Sequence, residues 1–266
     1  MKRHPKFTAL LQLFAFAGMI LMNALANSLP LNGYNTGQVS AFYPNQFVPA
    51  GFTFSIWGVI YLLLLGWVIS SGVKLWKKEP ENSLFRHVQL LSPYFLVSCL
   101  LNGLWIAAWH YLYVATSLLL MLALLLTLLL AYRTMQQYEV FVTGISRLFL
   151  YIPFVVYLAW ISVATIANTT ALLVHLEWTG WGISPSVWSV VLIAVAASLS
   201  VWFGLIRGEF SFVLVTAWAF WGIYNEQVQA SELVGTAALA ACFLSLAAGA
   251  YGWWRNKSKA SIDGVL

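Results

Sequence analysis

The stretch LFLYIPFVVYLAWISVATIANTTAL, residues 148–172, runs for 25 residues without an Asp, Glu, Lys or Arg. That exceeds the roughly 20 apolar residues a helix needs to cross a bilayer. Similar apolar runs, bounded by charges or Pro/Gly clusters, recur at 7–27, 51–73, 88–110, 113–132, 186–206, 210–225 and 232–254. They are continuous rather than alternating, which selects helices over the strands of a membrane barrel. Composition agrees. Of the 266 residues, 61% are hydrophobic and 8% charged, against roughly 45–50% and 25% in soluble domains. Lipid must be the solvent for most of the chain. A soluble enzyme, a secreted disulfide scaffold and a disordered protein are excluded. The expected fold is an all-α polytopic membrane helix bundle of about eight transmembrane helices.

Basic residues orient the bundle. Lys2, Arg3 and Lys6 precede the first run. Lys74, Lys77, Lys78 and Arg86 join the second to the third, and Arg133 and Arg147 join the fourth to the fifth. Arg207 follows the sixth, and Arg255, Lys257 and Lys259 follow the eighth. These are all 13 Lys and Arg of the chain, and with eight spans they all fall on one side. Both termini are therefore expected in the cytoplasm of a multi-pass plasma-membrane protein. The net charge of +5 reads as this topogenic signal, so no nucleic-acid partner is expected. Met1–Lys6 and Ala24-Leu25-Ala26 resemble the ends of a signal peptide, but the run from Phe7 to Ala26 is longer than the roughly 7–15 residues of such a core. A retained first helix is expected.

Two outer connections stand out. SLPLNGYNTGQVSAFYPNQFVPA (28–50) is uncharged and rich in Asn, Gly, Pro and Tyr. It reads equally as a lid over a cavity or as a plain loop. VHLEWTGWGISPS (174–186) carries His175, Glu177, Trp178 and Trp181, and its indoles fit an interfacial aromatic belt.

Much chemistry is missing. No Lys lies within a span, so a retinal Schiff base has no attachment point. No Asp, Glu or Arg lies near the middle of a run, which argues against a charge-driven pump. Of His4, His87, His110 and His175, the last two fall at outer helix ends, either as interfacial side chains or as axial ligands to a haem. There is no zinc spacing, phosphate loop or serine elbow. Cys99 and Cys242 read as packed thiols. No catalytic residue and no metal ligand is assigned, and an enzyme is not the favoured reading.

What remains is aromatic and amide rows at helical spacing: Phe54, Trp57 and Tyr61; Asn102, Trp105 and Trp109; Trp160, Ala164 and Asn168. A carboxamide in hydrocarbon needs a partner, so Asn102 and Asn168 should face other helices or a cavity and turn the neighbouring indoles inward. Such rows either line a flat apolar pocket or pack helices together.

At these residues the chain resembles the TspO/MBR family, the tryptophan-rich sensory proteins that include the translocator protein. FVPAGFTFSIWGVIY (47–61) is similar to the family's approach to its second helix, LNGLW (101–105) to its third-helix L-N-x-x-W, and YLAWISVATIAN (157–168) to its fifth-helix Y-L-x-W-x-S-x-A-T-x-x-N. The resemblance covers about residues 7–172. It implies a five-helix core (1–173) with an apolar cavity closed by the first loop, and three extra helices (174–266). It implies binding of porphyrins and other planar hydrophobic ligands, with Trp57 and Trp160 as cavity tryptophans, Ala164 as the small residue beside the ligand and Asn102 as a polar contact. Tyr61, Trp105 and Asn168 complete the candidate ligand-binding set.

The chain departs from the pattern in two places. Pro44 and Pro49 stand without a Trp before the second helix, and TTALLVHLEW (169–178) replaces an aromatic-basic segment linked with sterol recognition. The last three runs carry small residues, including Ala194, Ala197, Gly235, Ala238 and Gly249, which suit close helix packing or a homodimer. The expected function is a membrane receptor or carrier for a planar hydrophobic molecule such as a porphyrin. No cofactor is required, although a porphyrin or haem is a candidate bound group, and lipid is the other partner. The alternatives are light-dependent porphyrin breakdown and a regulatory or structural membrane subunit without a ligand.

Overall fold

The computed structural model describes residues 4–29, 31–78, 82–138 and 144–262. Lys2 and Arg3 of the N-terminal basic cluster lie outside the described residues, as does Pro30 of the connection at 28–50. Among the described residues all regular structure is helical. Eight long helices follow the eight apolar runs: α1 Pro5–Ser28, α2 Ile56–Lys77, α3 Ser83–His110, α4 Val114–Gln137, α5 Ile152–His175, α6 Pro185–Trp202, α7 Phe210–Gln227 and α8 Glu232–Ile262. Several run past their apolar stretch at the basic end, as α2 does to Lys77. Lys, Arg and Gln are good helix formers and their head groups reach water there.

Local signals set the ends. Pro5 and Pro185 open α1 and α6 at positions where a missing N–H costs nothing. Asn82 caps α3 by accepting from the Leu84 N–H at 2.9 Å. One expectation shifts: the second run starts at 51, but residues Gly51–Ser55 form a tight 3₁₀ turn and the α-helix begins at Ile56. Phe54 therefore lies before the regular helix.

Seven helical stretches are long and apolar enough to cross a membrane among the described residues. The chain is thus a multi-pass helical membrane protein. The stretch outside that set is α7. Its 18 residues span about 27 Å, and its last turn ends in Asn225, Glu226 and Gln227. Large apolar side chains such as Phe14, Leu62, Leu119, Leu126 and Phe243 are exposed. Lipid is the solvent that makes such faces stable.

The chain folds as two compact units: Met1–Phe42 with Trp57–Ile161, and Tyr43–Ile56 with Ser162–Leu266. In the first, α3 packs against α1 and α4, and buried amides tie helices together. Gln12 on α1 donates to Ser92 Oγ on α3 at 2.8 Å and accepts from Ser71 Oγ on α2 at 2.8 Å. Nearer the other end, Asn23 Nδ2 on α1 donates to Asn102 Oδ1 on α3 at 2.7 Å.

In the second unit α8 packs against α6 and α7. Its approach to α6 needs glycine. A Cβ at Gly252 would lie 2.0 Å from the Gly204 carbonyl oxygen, and one at Gly204 would lie 3.0 Å from the Gly249 nitrogen. After Trp202, α6 continues as a short π-helical stretch, Phe203–Arg207, whose Leu205 carbonyl accepts a hydrogen bond from the Arg255 guanidinium.

Candidate functional site

In the first unit, three helices bring aromatic rings to one place. Trp57 and Tyr61 lie one turn apart on α2, so their rings stack with centroids 5.5 Å apart. Asn102 and Trp105 lie three residues apart on α3 and share a face. Tyr157 and Trp160 repeat that spacing on α5. Trp57 is the meeting point. Its ring is 5.9 Å from that of Trp105, 6.0 Å from Tyr157 and 6.1 Å from Trp160, the last two edge-on. Contacts of this kind contribute about 0.5–1.5 kcal/mol each beyond the area they bury. Trp105 in turn lies nearly parallel to Trp109 at 6.4 Å.

Amides hold the floor of this cluster. Asn102 accepts from Asn23 and donates through Nδ2 to the Tyr157 hydroxyl at 2.9 Å. One carboxamide thus links α1, α3 and α5. The Tyr61 hydroxyl is buried beside Asn102 without a hydrogen bond of good geometry. The Trp105 indole N–H is also buried and has no acceptor among the described residues. A buried donor left unmade costs about 1–3 kcal/mol, so this N–H is available to a ligand acceptor.

Exposure is graded across the cluster. Asn102, Trp105, Tyr157 and Trp160 are buried, whereas Trp57 and Tyr61 are half-buried. The ring at the centre of the contacts is one of the two that remain accessible.

Of the residues singled out from the sequence, Trp57, Tyr61, Asn102, Trp105 and Trp160 come together in this unit. Ala164 and Asn168 follow Trp160 by one and two turns along α5 and belong to the second unit; Asn168 is buried and Ala164 half-buried. Spacing does not mark Tyr157, although it lies within the YLAW motif, nor Asn23. The rule that a bilayer carboxamide needs a partner, which marks Asn102, would also have marked Asn23 and Gln12.

The two histidines at helix C-termini, His110 and His175, differ from one another. His110 is buried and its Nδ1–H donates to the Ile106 carbonyl at 2.8 Å. His175 is exposed and lies edge-on to Tyr43, with ring centroids 6.0 Å apart. No group of three His, Cys, Asp or Glu is placed to hold a metal among the described residues.

The connection between α1 and α2 is built rather than slack. Asn35 and Gln38 cap a short helix, Thr36–Ala41, reciprocally: Asn35 Oδ1 accepts from the Gln38 N–H at 2.9 Å and Gln38 Oε1 from the Asn35 N–H at 2.8 Å. The Trp109 indole N–H reaches the Thr36 carbonyl at 3.3 Å. Further on, Tyr43, Phe47 and Thr53 are buried, and burial pushes the Tyr43 phenol above its ordinary pKa.

A family model described as TSPO-like protein matches residues 9–251. The match extends beyond the five helices that carry the motifs and takes in α6, α7 and most of α8. No curated protein and no solved structure matches the chain.

Proposed function

The chain belongs to the TSPO-like family, and from that premise we propose that it is an intramembrane receptor or carrier for a planar hydrophobic ligand, with a porphyrin as the model compound. The observation that supports this reading is the placement of Trp57: four aromatic rings surround it, yet it stays half-buried. A flat ring system would stack on its accessible face and that of Tyr61. A carbonyl or ring acceptor on the ligand would meet the Trp105 N–H. None of Trp57, Tyr61, Asn102, Trp105, Tyr157 and Trp160 carries a positive charge, so the set suits a ring whose carboxylates stay at a watery edge. Binding would come from apolar burial and stacking.

Titration with protoporphyrin, followed by quenching of tryptophan fluorescence, tests this reading. Replacing Trp57 and Trp160 together by Phe should weaken binding by about tenfold, as the loss of roughly 1.4 kcal/mol of indole contact requires. Equal affinity in the double variant would remove the assignment.

A second reading draws on the row Trp160–Trp57–Trp105–Trp109, whose neighbouring centroids are 6.1, 5.9 and 6.4 Å apart. Such a row suits photochemical breakdown of a bound porphyrin by way of an indole. An illuminated complex whose porphyrin spectrum stays unchanged would dismiss it.

We place both termini in the cytoplasm of a plasma-membrane protein, because eight crossings put every Lys and Arg at one end. A membrane-impermeant thiol reagent added outside intact cells should label a cysteine introduced at Tyr34 and spare one at Ser258. Labelling of Ser258→Cys from outside would reverse the orientation.

A further inference from the structure

The connection between α5 and α6 gathers three tryptophans of the second unit into one cluster. Trp178 follows the end of α5, Trp181 sits in the turn and Trp188 lies in the first turn of α6. Their ring centroids are 5.3, 5.2 and 5.9 Å apart, and their planes cross at 81, 56 and 64°. The Trp188 indole N–H donates to the Gly180 carbonyl at 3.0 Å, which ties the turn to α6. Trp178 and Trp188 are half-buried, while Trp181 is 78% exposed.

The turn holds the Trp181 ring out against the preference of its own backbone. Trp181 has φ +54°, between Gly180 at +68° and Gly182 at +78°. That left-handed region suits glycine and is an outlier for a bulky side chain. An interfacial belt needs no such backbone, because an ordinary helix end already delivers an indole to the membrane surface. Charge sets the cluster apart as well. Lys6 lies over Trp76 at 4.9 Å, Arg207 over Trp202 at 5.1 Å and Lys257 over Trp253 at 5.4 Å. No Lys or Arg occurs from residue 148 to 206, so this stretch supplies no such cation to the trio. The end of the second unit at which α6 and α8 begin, where Ser231 Oγ donates to Ser186 Oγ at 3.4 Å, carries Glu177, Glu226 and Glu232 instead.

Exposed indoles beside carboxylates select a cation with an apolar skin. A quaternary ammonium meets both demands: its methyl groups pack on the rings, its charge is attracted by their quadrupoles, and it asks for no hydrogen-bond acceptor. Seated over the triangle of centroids, it lies within about 6 Å of all three, the range of a cation–π contact. Helix ends stand at head-group level, and the exposed Leu176, Ile183 and Val187 that flank the rings in sequence suit acyl chains. We propose that Trp178, Trp181 and Trp188 form a site for the trimethylammonium head group of a choline lipid. The site does not depend on the porphyrin reading.

Native mass spectrometry of the intact protein, offered equal amounts of phosphatidylcholine and phosphatidylethanolamine with matched chains, tests the site, because the two lipids differ only in three N-methyl groups. The first lipid retained should be phosphatidylcholine by about fivefold or more. Trp181→Gly removes the exposed ring and suits the left-handed backbone, so it should fold as the wild type does and bring the ratio close to one. Trp181→Phe should keep part of the preference, and Trp178→Leu should lower it. Equal retention of the two lipids by the wild-type protein would overturn the site. A preference that survives both Trp181→Gly and Trp178→Leu would overturn its location. Tetramethylammonium chloride separates the sources of the cation. Shifts of the wild-type indole N–H resonances with this salt, lost in Trp181→Gly and accompanied by equal lipid retention, would assign the rings to a soluble amine and overturn the lipid.

Discussion

Replacing Gly252 by valine is expected to destabilise the protein by about 3 kcal/mol or more, at or beyond the upper end of what overpacking usually costs. The new Cβ would lie 2.0 Å from the Gly204 carbonyl oxygen. That atom is backbone and cannot swing aside as a side chain would. The α8 helix is held on its other side by α7, because a Cβ at Gly249 would already meet Val213 and Phe210 at 2.9 and 3.0 Å. Relief requires α6 and α8 to part, which forfeits dispersion contacts along their length. Gly72→Ala is the control, since nothing lies within 4 Å of its added Cβ and alanine is the better helix former. Thermal unfolding in detergent should show the valine variant lowered by roughly 6–12 °C, at about 2–4 °C per kcal/mol for a chain of this size, and the alanine control unmoved or slightly raised. Equal melting of the two variants would mean that α6 and α8 do not meet at glycine.

The second large effect is expected at Asn102. Changing it to Leu removes the acceptor of Asn23 and the donor to Tyr157 at once. Asn23 keeps a bond to the Met19 carbonyl at 2.9 Å, but the Tyr157 hydroxyl loses its amide donor in a fully buried place. Interhelical bonds in membranes average about 0.6 kcal/mol and a stranded buried polar group costs about 1–3 kcal/mol, so a loss near 2 kcal/mol is expected. Gln12→Leu removes a carboxamide just as buried, yet its partners have alternatives: Ser71 Oγ also donates to the Val68 carbonyl at 3.2 Å and Ser92 Oγ to the Val88 carbonyl at 2.6 Å. Its cost should stay under about 1 kcal/mol. Unfolding in a graded detergent–denaturant series ranks the two, and a larger loss for Gln12→Leu would show that the Asn102 link is not what joins α1, α3 and α5.

How far the sequence could be read depended on what each residue needs from its neighbours. Helix number and order follow from length and charge alone, because hydrocarbon leaves a chain few options. Trp57, Tyr61, Asn102, Trp105 and Trp160 were legible because helical spacing puts rings on one face and an amide in lipid must turn inward. Tyr157 escaped notice because its hydroxyl matters only once Asn102 is known to approach it. The 3₁₀ turn before Ile56 was not legible, because an apolar run does not say which of the two helical forms its first residues take. The docking of residues 48–53 on α7 was out of reach. It joins backbone groups of an uncharged loop to side chains about 170 residues further on, and backbone atoms leave no mark in the identities of side chains.

The central claim is that the accessible face of Trp57 receives a flat ring system. The most direct measurement is the visible absorption of protoporphyrin titrated into the protein in nanodiscs. A shifted, sharpened main band that saturates at one porphyrin per chain, and is weakened when Trp57 becomes Phe, is expected. Spectra matching those of porphyrin in empty nanodiscs, or a shift indifferent to Trp57→Phe, would contradict it.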